Sequence, residues 1–165
     1  MERLWSPWRS QYIESVKSSG DAECVFCAAI DADDDATRYI VHRGKTAFII
    51  LNLYPYNNGH LLIIPNRHVA SLQVLDTDER LELMNLAASG IDLLTAALGP
   101  HGYNLGANLG RVAGAGIEHH IHLHIVPRWN GDTNFMPVLA ETKMISESMD
   151  ATYAKLMACS PAIFG

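Results

Sequence analysis

The chain has 165 residues, of which 48% are hydrophobic and 18% charged, and its formal net charge is −6. This size and composition fit one compact domain whose core needs no disulfide bonds. The acidic balance argues against a nucleic-acid polymer as partner, because binding to a phosphate backbone needs clustered Lys and Arg. Three cysteines, no apolar run of membrane-spanning length and no secretory signal at the start together predict a cytoplasmic protein without a membrane anchor.

The first 20 residues form an amphipathic, aromatic segment that we interpret as an N-terminal arm. Trp5, Trp8 and Tyr12 suit packing on the domain or on a second subunit, and stacking of one Trp on a nucleotide is the alternative. The acidic run at 31–35 is expected to be a solvated loop, because it lacks the spaced ligands and the later Glu of an EF-hand.

Strand patterns follow in quick succession. The segments 39–42 and 47–51 flank Gly44-Lys45 and predict a hairpin. A loop rich in turn-forming residues, 52–59, separates this hairpin from a third strand at 60–64, which Pro65 ends.

A long helix is predicted next, with Thr77 as its N-cap and Gly99-Pro100 as its end. Its apolar residues recur every three or four positions: Leu81, Met84, Ala88, Ile91 and Leu94. Two more strands, at 103–109 and 120–126, and a short helix near 145–158 complete the pattern. Several strands around one long helix predict an α+β fold with an antiparallel sheet.

The most informative segment contains three alternating histidines, His120, His122 and His124, separated by aliphatic residues. Side chains alternate along a strand, so the histidines share one face and the aliphatic residues the other. A one-residue slip would bury every imidazole, so we expect the apolar face to fix the register. Such a row could be a surface strand without a role, a zinc site or the source of a nucleophilic imidazole.

This histidine pattern, followed by Pro127-Arg128, resembles the signature of the histidine-triad (HIT) hydrolases and transferases. The likeness extends over roughly residues 20–130. It implies a HIT domain at 21–135 with about five antiparallel strands, preceded by the arm at 1–20 and followed by an extension at 136–165 packed on the same domain. The family resemblance also implies a homodimer. Longer stretches at 3–7, 52–56 and 127–135 are similar to the bacterial branch that includes diadenosine tetraphosphate phosphorylases.

The resemblance assigns a role to each histidine. His122 is implied to attack the α-phosphorus of a bound nucleotide, while the backbone carbonyl of His120 holds its other ring nitrogen. His124 and His60 are implied to face the phosphates and the leaving group. The implied nucleotide-binding residues are Asn52, His60, Asn108, Gly114, Ala115, Gly116, His122, His124 and Trp129. For the two asparagines, a turn-forming or capping role is the alternative.

The chain departs from the family pattern at several positions. Many relatives carry Gln or Ser where Gly116 stands, so phosphate contact here would rest on backbone N–H groups. The spacing from Asn108 to His120 is one residue longer than usual, and the additional His119 has no expected catalytic role. His124 stands where uridylyl-transferring relatives carry Gln, which favours release of the nucleotide to water or phosphate.

The pair Cys24 and Cys27 forms a C-x-x-C motif, which alone is equally open to redox chemistry or zinc. His68 resembles the third ligand of zinc-bearing bacterial HIT proteins, in which the first triad histidine completes the site. The implied ligands of a closed, structural zinc are therefore Cys24, Cys27, His68 and His120. Two buried thiols without metal are the alternative.

The function implied by the resemblance is cleavage of dinucleoside polyphosphates, by water or by phosphate, through a covalent nucleotide on His122. No organic cofactor is expected. Three alternatives stay open: a nucleoside phosphoramidase of the same family, a non-catalytic nucleotide- or zinc-binding adaptor, and a hydrolase that uses zinc in catalysis.

Overall fold

The computed structural model describes residues 24–133 and 145–165. The predicted arm, with Trp5, Trp8 and Tyr12, lies outside the described residues. The helices are α1 (Val25–Asp31), α2 (Asp35–Arg38), α3 (Thr77–Leu98) and α4 (Met149–Phe164). The strands are β1 (Ile40–Arg43), β2 (Ala47–Leu51), β3 (Leu61–Pro65), β4 (Gly102–Gly106) and β5 (Leu123–Arg128). Short 3₁₀ turns occur at Leu72–Val74 and Arg111–Ala113.

The five strands form one antiparallel sheet in the order β1-β2-β3-β5-β4. The predicted α+β class and the hairpin of the first two strands are thereby confirmed. Strand β5 lies between β3 and β4, so the histidine-rich segment enters the interior of the sheet instead of its edge. All five residues of β2 and of β3 are buried, because helices cover both faces.

Each face of the sheet has its own apolar cluster. On one face, α3 and α4 pack against alternate strand residues, with Leu94 and Leu156 fully buried. On the other face, Phe26 of α1 packs with Phe48 and Leu62. The alternation of β5 places His124 on this second face, and α1 therefore covers the histidines.

Helix α3 begins with a capping box one residue before the predicted N-cap. The Asp76 side chain accepts a hydrogen bond from the Glu79 N–H, and the Glu79 side chain accepts one from the Asp76 N–H. Thr77 is therefore the first helical residue, and its prediction as the N-cap was wrong. At the other end, Gly99 adopts φ 56° and ends the helix as predicted.

The apolar stripe that predicted α3 coincides with the buried face only toward the end of the helix, where Leu94 is buried and Ile91 packs on the core. Leu81 and Met84 are 58% and 53% exposed. The buried face consists of Leu83, Leu86, Ala87, Gly90, Leu93 and Leu94, together with Glu79. Two apolar stripes run along this helix, and periodicity alone does not say which of them faces the sheet.

Helix α3 is also long enough and apolar enough, by length and composition alone, to cross a membrane. The sequence was expected to hold no such segment. Its buried residues pack against β2, β3, β5 and α4, which is the position of a core helix.

Several boundaries differ from the prediction. Helix α4 is longer than expected and begins at Met149, where the Ser148 side chain caps it. The 25–31 segment forms α1, which the C-x-x-C motif did not predict. The acidic run is only partly a loop, because Asp34 caps α2 and Asp35 pairs with Arg43.

Candidate active site

Only the last of the three triad histidines lies within a strand. Strand β5 begins at Leu123, so His120 and His122 precede it, and the predicted strand start at residue 120 was three residues early. An N–H bond from Ile121 to the Val69 carbonyl (2.7 Å) holds this lead-in segment against the chain that follows β3. The same bond brings His120 close to the residues after β3.

The three imidazoles are buried, with 0%, 7% and 9% exposure for His120, His122 and His124. The predicted register holds, with Ile121, Leu123 and Ile125 on the opposite face. The imidazoles are nevertheless buried without a register slip, because α1 covers their face of the sheet. The Phe26 ring lies edge-on to His122 at 5.1 Å and to His120 at 5.5 Å between centroids. Arg43 anchors the far end of α1 by donating to the Ala29 and Ile30 carbonyls.

The ring of His122 is held in one tautomer. Its Nδ1 lies 2.8 Å from the carbonyl oxygen of His120, which can only accept, so Nδ1 carries the proton. Nε2 therefore keeps its lone pair and can act as a nucleophile. Burial is the main cause that lowers the pKa of His122, which favours the neutral ring.

A second chain of hydrogen bonds fixes His60 and His124. The Tyr56 N–H donates to His60 Nδ1 (3.0 Å), so His60 carries its proton on Nε2. That proton is donated to His124 Nδ1 (2.9 Å), which leaves the proton of His124 on Nε2. His124 is 4.9 Å from His122 between ring centroids. The site thus presents a lone pair on one imidazole and a proton on its neighbour.

The 52–59 loop that supplies the Tyr56 N–H is tied to the elements around it. Asn57 Nδ2 donates to the Pro127 carbonyl of β5 (3.0 Å). Asn58 is buried, and its Oδ1 accepts from Thr152 of α4 (2.9 Å). The Tyr56 ring stacks on His124 at 5.7 Å between centroids, and it is 38% exposed. The sequence patterns did not indicate Tyr56 or Phe26, and the signal for Tyr56 was an aromatic residue four positions before His60.

Asn52 has a turn-forming role, the alternative that the sequence left open. Its Oδ1 accepts from the Tyr54 N–H (3.0 Å), and its Nδ2 lies 3.3 Å from His60 Nδ1. Asn108 likewise bonds within its own loop, from Nδ2 to the Gly114 carbonyl (3.4 Å). Ribose binding by either asparagine stays a prediction.

The glycine-rich loop offers fewer backbone donors than expected. The Gly114 N–H bonds to the Arg111 carbonyl (2.9 Å), and the Ala115 N–H bonds to the Gly110 carbonyl (3.3 Å). Of the three predicted phosphate-binding residues, Gly116 alone keeps an N–H that makes no backbone hydrogen bond to another described residue.

Trp129 stands apart from the histidines. It follows the last residue of β5, five positions beyond His124, which corresponds to about 16 Å along a strand. Its N–H donates to Asp132 (3.2 Å). Its proposed nucleotide contact stays a prediction.

Four residues from three parts of the chain meet beside the triad. Cys24, Cys27, His68 and His120 each offer one ligand atom, and these atoms lie within 4.8 Å of one another. The closest contacts are 3.2 Å from Cys27 Sγ to His68 Nδ1 and 3.4 Å from Cys24 Sγ to His120 Nδ1. The donors of a tetrahedral zinc lie roughly 3.3–3.8 Å apart, so the donor set fits zinc.

The tautomer of His120 also suits a metal. Its Nε2 lies 2.8 Å from the Pro65 carbonyl and donates to it. The lone pair is therefore on Nδ1, the atom that faces the two sulfurs. A backbone carbonyl that orients a ligating histidine in this way is a common partner in metal sites.

Residues 34–131 match the family model described as HIT domain. The chain is 37% identical to an AP-4-A phosphorylase of Mycobacterium tuberculosis over 157 residues, which cover 92% of this chain and 80% of that relative. It is 31% identical to an adenosine 5'-monophosphoramidase of Schizosaccharomyces pombe, over 65% of this chain and 75% of the relative.

Solved structures give the same fold. A Zn-bound histidine triad family protein from Mycobacterium smegmatis superposes with a TM-score of 0.64 at 28% identity, covering 85% of this chain and 94% of that one. A histidine triad nucleotide-binding protein from Sulfolobus tokodaii, described as hypothetical, gives 0.66 at 29% identity, covering 84% and 90%.

Proposed function

This chain belongs to the HIT family and is a nucleotide-processing hydrolase or transferase, and we propose that it cleaves dinucleoside polyphosphates of the diadenosine tetraphosphate type. The observation that carries the proposal is the fixed pair of tautomers, a lone pair on His122 Nε2 beside a proton on His124 Nε2. The similarity to an AP-4-A phosphorylase over 92% of the chain supports the substrate class.

In the first step, His122 Nε2 attacks the α-phosphorus of one adenylate. The N–P bond forms, the P–O bond to the rest of the substrate breaks, and ATP leaves. The Nδ1 proton stays on the ring and donates to the His120 carbonyl, which stabilises the positive charge that develops on the imidazole. The Nε2–H of His124 donates a hydrogen bond to the departing oxygen, and His60 keeps His124 in that orientation.

In the second step, an oxygen of inorganic phosphate or water attacks the same phosphorus. The N–P bond breaks, its electron pair returns to Nε2, and the neutral ring of His122 is restored, while the proton of the attacking water or hydrogen phosphate is released to solvent. Phosphate yields ADP and water yields AMP. The Gly116 N–H and the His124 Nε2–H are the donors proposed for the phosphate oxygens.

The experiment is incubation with diadenosine tetraphosphate, with and without inorganic phosphate, and chromatographic separation of the products. ADP and ATP that appear only with phosphate support a phosphorylase, whereas AMP and ATP without phosphate support a hydrolase. No cleavage in either case contradicts the dinucleotide assignment.

A phosphoramidase activity is the second candidate, because two relatives are named adenosine 5'-monophosphoramidases. Both reactions use the same intermediate on His122. Cleavage of adenosine 5'-phosphoramidate with a higher kcat/KM than that of diadenosine tetraphosphate favours this second assignment.

We further propose that Cys24, Cys27, His68 and His120 hold a structural zinc ion. The ion would supply a tetrahedral cross-link between α1, the chain after β3 and the triad segment, and it would take no part in the reaction. The test is zinc content and thermal unfolding of Cys27→Ser, with Cys159→Ser as the matched control. Loss of zinc together with a lower melting temperature in Cys27→Ser alone is expected; wild-type protein without stoichiometric zinc contradicts the proposal.

A homodimer is proposed through β4 and the exposed stripe of α3. Among the described strands, β4 pairs only with β5, so none of them occupies its outer edge. Tyr103 of β4 bonds through its hydroxyl to the Ile91 carbonyl, so the stripe runs beside this edge. Leu81 and Met84 extend the same stripe and are more than half exposed. A second copy would continue the sheet and cover these side chains.

The dimer is tested by light scattering on Met84→Glu, with Val74→Glu as the control at another exposed apolar position. Dissociation in the first variant alone supports this interface. A monomeric wild-type protein, or dimers in both variants, contradicts it. We also propose a cytoplasmic location, and this proposal rests on the sequence alone.

A further inference from the structure

The loop that joins β4 to the triad segment, residues 107–119, borders both reactive imidazoles. It begins beside His124, because Gly106, the last residue of β4, is the register partner of His124. It returns beside His122, because Ile117 packs on the apolar cluster that contains Phe26, and the Phe26 ring contacts His122. We call this segment the connecting loop.

The connecting loop is shaped by its own hydrogen bonds. Gly110 (φ 79°) and Gly114 (φ 91°) bracket the 3₁₀ turn Arg111–Ala113, and both adopt a left-handed conformation that favours glycine. Bonds from the Gly114 N–H and the Ala113 N–H close the turn on itself. The turn therefore holds Arg111, whose side chain is exposed, at a defined position between the two ends of the loop.

The charge of Arg111 is not used within the described part of the chain. Five other arginines lie in this part of the chain, and Arg38 among them lies in α2 beside β1. The other four donate to protein oxygens: Arg43, Arg67, Arg80 and Arg128. Arg111 makes no side-chain hydrogen bond or ion pair with any described residue. A guanidinium is charged at every accessible pH and fits phosphate oxygens in a bidentate geometry. An arginine in the loop that borders the histidines suits a substrate that carries several phosphates.

We propose that Arg111 binds the phosphate adjacent to the one that His122 attacks, first in the leaving group and then in the inorganic phosphate that enters. This inference rests on the proposed function. The leaving oxygen of the first step and the attacking oxygen of the second both lie opposite Nε2, in line with the N–P bond. One cation at that position therefore serves both steps and sets the preference for phosphate over water as the acceptor.

The kinetic test uses Arg111→Ala and Arg111→Lys, with Arg38→Ala as the control for an exposed arginine beside β1, away from the loop. The KM for phosphate in the cleavage of diadenosine tetraphosphate should rise at least about tenfold in Arg111→Ala, the loss expected for one charge-assisted bond. The ratio of ADP to AMP should fall, and Arg111→Lys should recover part of it. An unchanged KM for phosphate and an unchanged ratio overturn the inference.

A binding test separates this inference from the proposed function. Calorimetry on Arg111→Ala should show about tenfold weaker ATP binding and an AMP affinity within about twofold of wild type. If the wild type does not cleave the dinucleotide, the proposed function fails, and the ATP comparison still decides the role of Arg111. Equal losses for ATP and AMP, or no loss for ATP, overturn the inference.

Discussion

Replacement of His60 by Leu tests whether the buried hydrogen-bond chain controls the proton of His124. His60 has no exposed surface, accepts from the Tyr56 N–H and donates to His124 Nδ1. Leucine keeps an apolar side chain in this space and makes neither bond. His124 then loses the partner that keeps its proton on Nε2.

The magnitude follows from the two lost bonds. A buried polar group that loses its partner costs about 1–3 kcal/mol, so we expect Leu at this position to lower the free energy of unfolding by a similar amount. A positioned general acid contributes about 10²–10⁴-fold to a rate. Loss of the correct tautomer is expected to lower kcat by about 10²-fold or more when the leaving group needs a proton.

The assay compares the rates for two adenylate substrates, both of which are attacked by His122. One has an amine as its leaving group, which must be protonated, and the other has the acidic p-nitrophenol, which need not be. We expect His60→Leu to lose at least about tenfold more activity with the amine than with the phenol. His119→Leu, at an exposed neighbouring position, is the control. Equal losses on both substrates would refute the role assigned to the His60–His124 bond.

Three predictions concern stability. Leu156→Ala removes a fully buried side chain between α4 and the sheet and should cost about 2–5 kcal/mol in urea unfolding. Asp76→Ala removes the N-cap of α3 and should cost about 1 kcal/mol, or about 2–4 °C in melting temperature. Bonds from Arg67 and the Asp76 N–H lower the pKa of Glu79 from 4.5 to about 2. The ionised Glu79 therefore stabilises the fold above about pH 4.5, and this contribution is lost as the pH falls toward 2. The loss of unfolding free energy in Glu79→Gln, relative to wild type, should be largest at neutral pH and smaller in acid. A loss that does not depend on pH contradicts the role of Glu79. Unchanged unfolding midpoints contradict the roles of Leu156 and Asp76.

Local sequence patterns were sufficient to predict the features that depend on neighbouring residues, such as the hairpin and the end of the long helix. The alternation of apolar residues around Gly44-Lys45 predicts the β1–β2 hairpin, and Gly99 marks the end of α3 because its left-handed conformation suits glycine. The family resemblance predicted that one site contains Cys24, Cys27, His68 and His120. The structure places their ligand atoms within 4.8 Å of one another.

Features that depend on contacts between distant segments were not predictable in this way. The buried face of α3 is chosen by the sheet beneath it, and both apolar stripes have helical spacing. The burial of the imidazoles depends on Phe26, nearly 100 residues earlier in the chain, in a helix that the C-x-x-C motif did not indicate. The internal bonds of Asn52 depend on the exact path of a loop, which residue types alone do not define.

The most direct test of the account is capture of the covalent intermediate on His122. The protein is mixed with diadenosine tetraphosphate, quenched within its first turnovers under conditions that preserve phosphoramidates, digested and analysed by mass spectrometry. The account predicts one adenylyl group on the peptide with His122, its loss when phosphate is added before the quench, and no label in His122→Asn. An adenylyl group on another residue, or turnover by His122→Asn at the wild-type rate, would contradict it.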